Sequence, residues 1–185
     1  MPNLYPAFER QEVVIHSPEH LRSFAELDDD HVGLVARAWE EREAPFALIN
    51  EGRLAGASLP HSHSQLVWAD LPSEALDRLP GLLEPFELAR RGGVIAAVHP
   101  FGAGPYECLI SGEGALAEGL VLLRDLVRRL HAVEGMRPWN AWFHPSPPWH
   151  LHFVPRLTAL AGIELGTGIY VNVLPPEQAA ERLRT

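Results

Sequence analysis

The strongest constraint this chain places on its own fold is that its pattern of elements occurs twice. "EVVI" precedes "FAEL", a helical run, "FALIN" and the histidine pair "HSH"; "ECLI" precedes "ALAEGL", a second helical run, "NAWFH" and "HLH". From Glu12 to Glu107 is 95 residues, and from His63 to His152 is 89. Two unlike signals that keep nearly the same separation point to an internal duplication. No polar or low-complexity linker parts the copies, so they are expected to share one continuous structure. With 185 residues, the reading is an α+β chain of two similar halves. The first, residues 1–75, carries the first histidine pair; the second spans residues 76–185.

Strands are expected at Glu12–His16, Phe46–Asn50, Ser64–Ala69, Val94–His99, Tyr106–Ile110, Trp139–His144, Trp149–Val154 and Gly168–Val173. Each run is short, rich in Val, Ile and aromatics, and bounded by Pro, Gly or polar turns. Two helices stand among them. Asp28–Glu43 opens with acids that suit the helix dipole and places Val32, Val35 and Trp39 at helical spacing. Ala115–Val133 lines up Leu116, Leu120, Leu123, Val127 and Leu130 on one face, and Gly135 ends it. "PPEQAAERLR" reads as a third helix, begun by proline and acid.

Composition narrows the function. Hydrophobic residues at 46% and charged residues at 21% are those of a globular chain. A formal charge of −9 argues against broad binding to DNA or RNA, which needs many Lys and Arg contacts to phosphate. A small nucleotide is still allowed, because a few neutral donors hold one phosphate. Cys108 is the single cysteine, so no internal disulfide is expected. "MPNLYPAFERQEVV" has neither a basic start nor an apolar run, unlike a signal peptide. No apolar stretch is long enough to cross a bilayer. The expectation is a cytoplasmic protein with no nucleic-acid or membrane partner.

The chemistry concentrates in "LPHSHSQL". On a strand, His61, His63 and Gln65 project from one face, because successive side chains alternate. A lone histidine in an apolar strand is ordinarily a hydrogen-bonded packing residue. Here two one-apart pairs, His61/His63 and His150/His152, are joined by His144 on the preceding strand. One alternative is metal binding, for which His-x-His on a strand supplies two ligands. The acid that a cupin-type site needs four or five positions later is absent after the first pair. The other alternative is a nucleophilic histidine, since neutral imidazole attacks phosphorus near pH 7 and the bond it forms is labile. Asn50, Ser58, Ser64 and Gln65 are neutral donors, and Gly52 and Gly56 let backbone amides approach. That set suits an anionic phosphate better than a divalent cation.

These segments resemble the galactose-1-phosphate uridylyltransferase family, a branch of the histidine-triad superfamily. "PNLYPAF" and "RQEVVIHSPEH" resemble its nucleotide-binding loop and following strand. "NEGRLAGASLPHSHSQ" resembles its nucleophile segment without a gap. "WHLHFVPRLTALAGIELGTGIYVN" and "LPPEQAAERLR" resemble its second half. The resemblance implies two histidine-triad-like halves forming an antiparallel half-barrel sheet with flanking helices. It implies a nucleotidyltransferase that moves a nucleoside monophosphate between a nucleotide sugar and a sugar 1-phosphate. His63 would carry the nucleotide covalently and Gln65 would stabilise the phosphoryl oxygens. Asn50 and Ser58 would contact phosphate, Asn3 would lie near the nucleoside, and Glu164 would meet sugar hydroxyls. It implies a homodimer, with Trp139, Trp142 and Trp149 as candidate contact residues and core packing expected for at least one of them.

The resemblance also implies metals, zinc or iron. The family's structural zinc uses two cysteines from an N-terminal segment and histidines that match His20 and His61; those cysteines have no counterpart here, so zinc held in that way is not expected. A second site matches His144, His150 and His152, with Glu74 as the candidate acid. Ser62 stands where the family usually has proline. Two alternatives stay open: a hydrolase or phosphorylase of nucleotide sugars or dinucleotides, and a non-catalytic metal- or nucleotide-binding relative.

Overall fold

Eight strands form one antiparallel sheet, in a computed structural model that describes residues 1–69, 83–145 and 148–184. The strands are β1 (Arg10–Ile15), β2 (Phe46–Glu51), β3 (His63–Trp68), β4 (Glu87–Arg91), β5 (Val94–Val98), β6 (Cys108–Gly112), β7 (Trp139–His144) and β8 (His150–Pro155). Their order across the sheet is β1-β3-β2-β7-β8-β6-β5-β4. Leaving out the β4–β5 hairpin, the order is symmetric about the β2–β7 pair: β1, β3 and β2 on one side mirror β6, β8 and β7 on the other. The boundary expected between residues 75 and 76 lies outside the described residues, as does Glu74.

Helices α1 (Asp29–Arg42) and α2 (Leu116–Glu134) follow β1 and β6, the two strands in matching places of that order. Asp28 caps α1 by accepting the His31 N–H at 2.8 Å, which satisfies one of the donors every helix start leaves open. The stripe Leu116, Leu120, Leu123, Val127 and Leu130 on α2 is buried as its spacing requires. Each such side chain contributes about 1.5–3 kcal/mol on leaving water. These residues share one core with Leu66, Ala47, Ile49, Ala141, Leu151, Phe153, Cys108 and Ile110 from the sheet. All the helical packing thus falls on one sheet face, and the alternate residues of each strand point the other way. Two further helices, α3 (Gly162–Thr167) and α4 (Pro176–Leu183), close the chain; α4 buries Ala179, Ala180 and Leu183. No described helix is long and apolar enough to cross a membrane.

The sequence reading is corrected in two places. Gly168–Val173, expected as a strand, pairs with no described strand; it follows α3 after Gly168 ends that helix in the left-handed region at φ 72°. Asn172 anchors it instead, its amide donating to the carbonyls of Gly102 and Gly104. β4 was not anticipated, because "ELARR" is charged on its outer residues; among the described strands it pairs only with β5, through an irregular register. Trp139 is the tryptophan of the three that fills the expected core position, fully buried.

Candidate active site

The turn from β2 into β3 is held by backbone constraints before any side chain acts. Gly52 sits at φ 84°, and a Cβ there would meet Pro138 at 3.0 Å, so only glycine lets β2 end against the α2–β7 connection. The chain then runs through Ser58 to His61, Ser62 and His63. Asn50, Ser58, His61 and His63 line a cleft of about 590 Å³. Arg22, Arg53 and Arg137 line it too, which gives an acidic protein a local concentration of guanidinium groups where an anion would sit.

His63 is buried, and its Nδ1 lies 2.8 Å from the His61 carbonyl oxygen. A carbonyl only accepts, so Nδ1 must carry the proton and donate it. The lone pair of the neutral ring is therefore on Nε2, the nitrogen a nucleophile would use. Gln65 follows two residues later on the same sheet face, opposite Val13 of β1 and Leu48 of β2. It does not line the cleft itself. Asn50 accepts from the Asn140 side chain at 2.7 Å, which ties β2 to β7 at the cleft.

Beneath the histidine pair lie two further groups, Glu51 from the nucleophile segment and His16, which the sequence did not single out. His16 is buried, with Nδ1 2.8 Å from the Ser62 hydroxyl. Burial, then the neighbouring rings of His63 and His61, pushes its pKa down to about 3, so it stays neutral. Ser62 thus anchors the turn through a side-chain bond. Glu51 accepts the Ser23 hydroxyl at 2.7 Å, the Phe24 N–H at 2.7 Å and the buried Trp139 indole N–H at 2.9 Å. Burial raises its pKa despite these three donors. Glu51 lines the cleft, with its carboxylate oxygens engaged by these wall donors. Only coordinates reveal either pairing, because the partners are distant in sequence.

Other expected site residues fall elsewhere. Ser64 faces the helical layer, fully buried, with its hydroxyl accepting from the Trp39 indole at 2.9 Å; its side chain is a core anchor and cannot contact a substrate at His63. Asn3 holds the N-terminal segment, accepting the Tyr5 N–H at 3.0 Å, and does not line the cleft. Glu164 accepts the Ala161 N–H at 2.9 Å and caps its own short helix, away from the cleft. His20 and His61 bring their Nδ1 atoms to 3.3 Å. That matches the separation of about 3.3 Å between two ligands of a tetrahedral zinc with bonds near 2.0–2.1 Å. Among the described residues, no further His, Cys, Asp or Glu completes the group. Cys108 is buried on β6, and burial raises its pKa, so it supplies no thiolate.

The second histidine group is more complete. His144, His150 and His152 offer three nitrogens within 4.8 Å of one another. The rings of His144 and His150 stack at 4.5 Å, and Trp142 covers His152 at 4.9 Å. Glu107 faces Nδ1 of His152 at 3.2 Å, which directs that proton to the carboxylate and leaves Nε2 as the coordinating atom. His99 approaches the same carboxylate. However, its Nδ1 accepts the Phe101 N–H at 2.9 Å, so its proton sits on Nε2 and it offers no second lone pair. Three imidazoles in a buried setting suit zinc or ferrous iron. Gln65, Leu48, Trp142 and His152 occupy one cross-strand row. His152 therefore stands three strands from Gln65, roughly 14 Å at the usual spacing.

Residues 6–71 match the family model described as galactose-1-phosphate uridyl transferase, N-terminal domain. Over those residues the chain is similar to the galactose-1-phosphate uridylyltransferase family. It is similar to ADP-glucose phosphorylase of Arabidopsis thaliana, 27% identical over 226 residues, covering 96% of this chain and 64% of that protein. The chain thus spans a little under two thirds of that relative's length. A crystal structure of an ADP-glucose phosphorylase from Arabidopsis thaliana with bound ADP-glucose shares the fold, with a TM-score of 0.85 and 22% identity over 100% of this chain and 80% of that one. The structure of a uridylyltransferase aligns with a TM-score of 0.79 and 20% identity, covering 100% of this chain and 78% of that one.

Proposed function

We propose that this protein transfers a nucleoside monophosphate out of a nucleotide sugar through a covalent intermediate on His63. The observation that carries the proposal is the His63–His61 hydrogen bond, which assigns the ring proton to Nδ1 and the nucleophilic lone pair to Nε2 beside a cationic cleft. In the first step Nε2 attacks the α-phosphorus. The P–N bond forms as the bond to the bridging oxygen breaks, and the sugar leaves as its 1-phosphate. The imidazole keeps its Nδ1 proton, so the adduct's positive charge rests against the His61 carbonyl. In the second step an oxygen of an incoming phosphate attacks the same phosphorus and the P–N bond breaks. Asn50, Ser58 and the three arginines bind the charged groups, and Gln65 donates to the phosphoryl oxygens.

The incoming phosphate is either a sugar 1-phosphate, which makes the protein a transferase, or orthophosphate, which makes it a phosphorylase. Similarity to ADP-glucose phosphorylase supports orthophosphate. Incubation with ADP-glucose or UDP-glucose labelled in the α-phosphate should give acid-labile label on the protein, absent from His63→Ala. Adding orthophosphate should discharge it as the nucleoside diphosphate. Label retained by His63→Ala, or no label with either nucleotide sugar, refutes the proposal.

The His144, His150 and His152 group would hold a zinc or iron ion, which at three strands' distance would stiffen the β7–β8 turn rather than touch the reacting phosphorus. Dimerisation is part of the same proposal and is supported by the exposed apolar residues Ile163, Leu165, Ile169, Tyr170 and Val173, side chains of the kind that line interaction sites when they lie together. Sedimentation showing only monomer at micromolar concentration would remove it.

A further inference from the structure

We propose that Gln11 is a positioning residue that fixes which end of the Gln65 amide faces the phosphate. The inference rests on the proposed role of Gln65 at a nucleotidylated His63. Gln11 and Gln65 are diagonal neighbours across β1 and β3: Gln11 lies opposite Val67, and Gln65 lies opposite Val13. Diagonal pairs on one sheet face are within reach of long side chains.

The orientation follows from a backbone group whose role is not in doubt. The Ala7 N–H, which can only donate, points at the Gln11 side chain at 2.8 Å. The atom that receives it must be Oε1. The other end of Gln11 is therefore its NH2, and that end meets Gln65. An NH2 only donates, so the Gln65 atom it meets must be Oε1. Gln65 is left with its NH2 unengaged by any described protein group, on the face that carries His63. Amide ends are ordinarily interchangeable by a half-turn; here the chain Ala7 to Gln11 to Gln65 removes that freedom. A donor is held ready for a phosphoryl oxygen, and no reorganisation is needed when charge arrives there.

The directional test uses an isosteric substitution. Gln11→Glu keeps an acceptor for Ala7 but cannot donate to Gln65, so the Gln65 amide turns and presents its oxygen to the phosphate. Gln11→Met only removes the bias. The expected result for the rate of nucleotidyl-protein formation is a loss of about 100-fold in Gln11→Glu, the scale of losing one donor to a developing anion. In Gln11→Met the loss should stay below about ten-fold. The Gln11→Glu defect should recover relative to wild type as pH falls through the carboxyl range, because a protonated carboxyl donates again. In a Gln65→Met background, Gln11→Glu should cost little more.

A purely packing role predicts the reverse order, with the isosteric Glu milder than Met, and that order overturns the proposal. So does a full Gln11→Glu penalty in the Gln65→Met background, which would make the effect one of charge alone. Unchanged labelling in Gln65→Met overturns it while leaving the His63 reaction intact. Label surviving in His63→Ala instead removes the reaction on which the inference depends.

Discussion

Replacing His16 should flatten the pH dependence of stability on the acid side. In the folded chain this ring is buried against Phe24 and bonded to Ser62, and its pKa is pushed from 6.5 to about 3. The unfolded chain takes up a proton near 6.5 while the folded chain does not, so the unfolded state binds more protons between those values and stability falls as pH drops. At about 1.36 kcal/mol per pH unit, moving from pH 7 to pH 4 costs about 3 kcal/mol from this one ring. That is a large share of a typical total of roughly 5–15 kcal/mol. Urea unfolding at pH 7, 6, 5 and 4 measures it directly. His16→Gln keeps a hydrogen-bonding partner for Ser62 but does not titrate, so its stability should fall by about 3 kcal/mol less than wild type over that range. Parallel pH curves for the two proteins would refute the reasoning.

Glu51→Ala should destabilise by about 3 kcal/mol, because it leaves the Trp139 indole and two other donors without their acceptor. Glu51→Gln, which keeps one acceptor oxygen, should cost about half as much; urea midpoints check both, and an Ala variant within 1 kcal/mol of wild type would show that the anchor is idle. Metal analysis after purification without chelator should find zinc or iron whose retention depends on His150 and not on His20. Glu107→Gln should weaken that retention about 10- to 100-fold, as loss of a carboxylate behind a metal-bound histidine does. Equal loss in His20→Ala would place the ion elsewhere.

The strand period made much of this site legible. Alternation alone puts His63 and Gln65 together, and the same rule already sets Ser64 on the opposite face, against its candidacy as a substrate ligand. The helical stripe on α2 and the acidic start of α1 were equally readable, because each depends on neighbours three or four residues away. Gly168–Val173 has strand-like residues but no partner edge, and pairing is a property of the whole sheet. His16, Gln11 and Glu107 were not singled out as site groups for a related reason. Their roles depend on partners as far as 54 positions away, as for Gln11 and Gln65, and a polar residue in a strand carries no mark of which group will meet it.

The β2–β7 pair joins the two ends of this history. Ala47 lies against Phe143, and Asn50 against Asn140, so the inner edge of the first half stays open until β7 is made. During synthesis at roughly 5–20 residues per second, the nascent chain exposes that edge for several seconds before its mate leaves the ribosome. Long-range closure of this kind is slow, so the cleft wall that carries Asn50 is expected to close only after β7 has emerged.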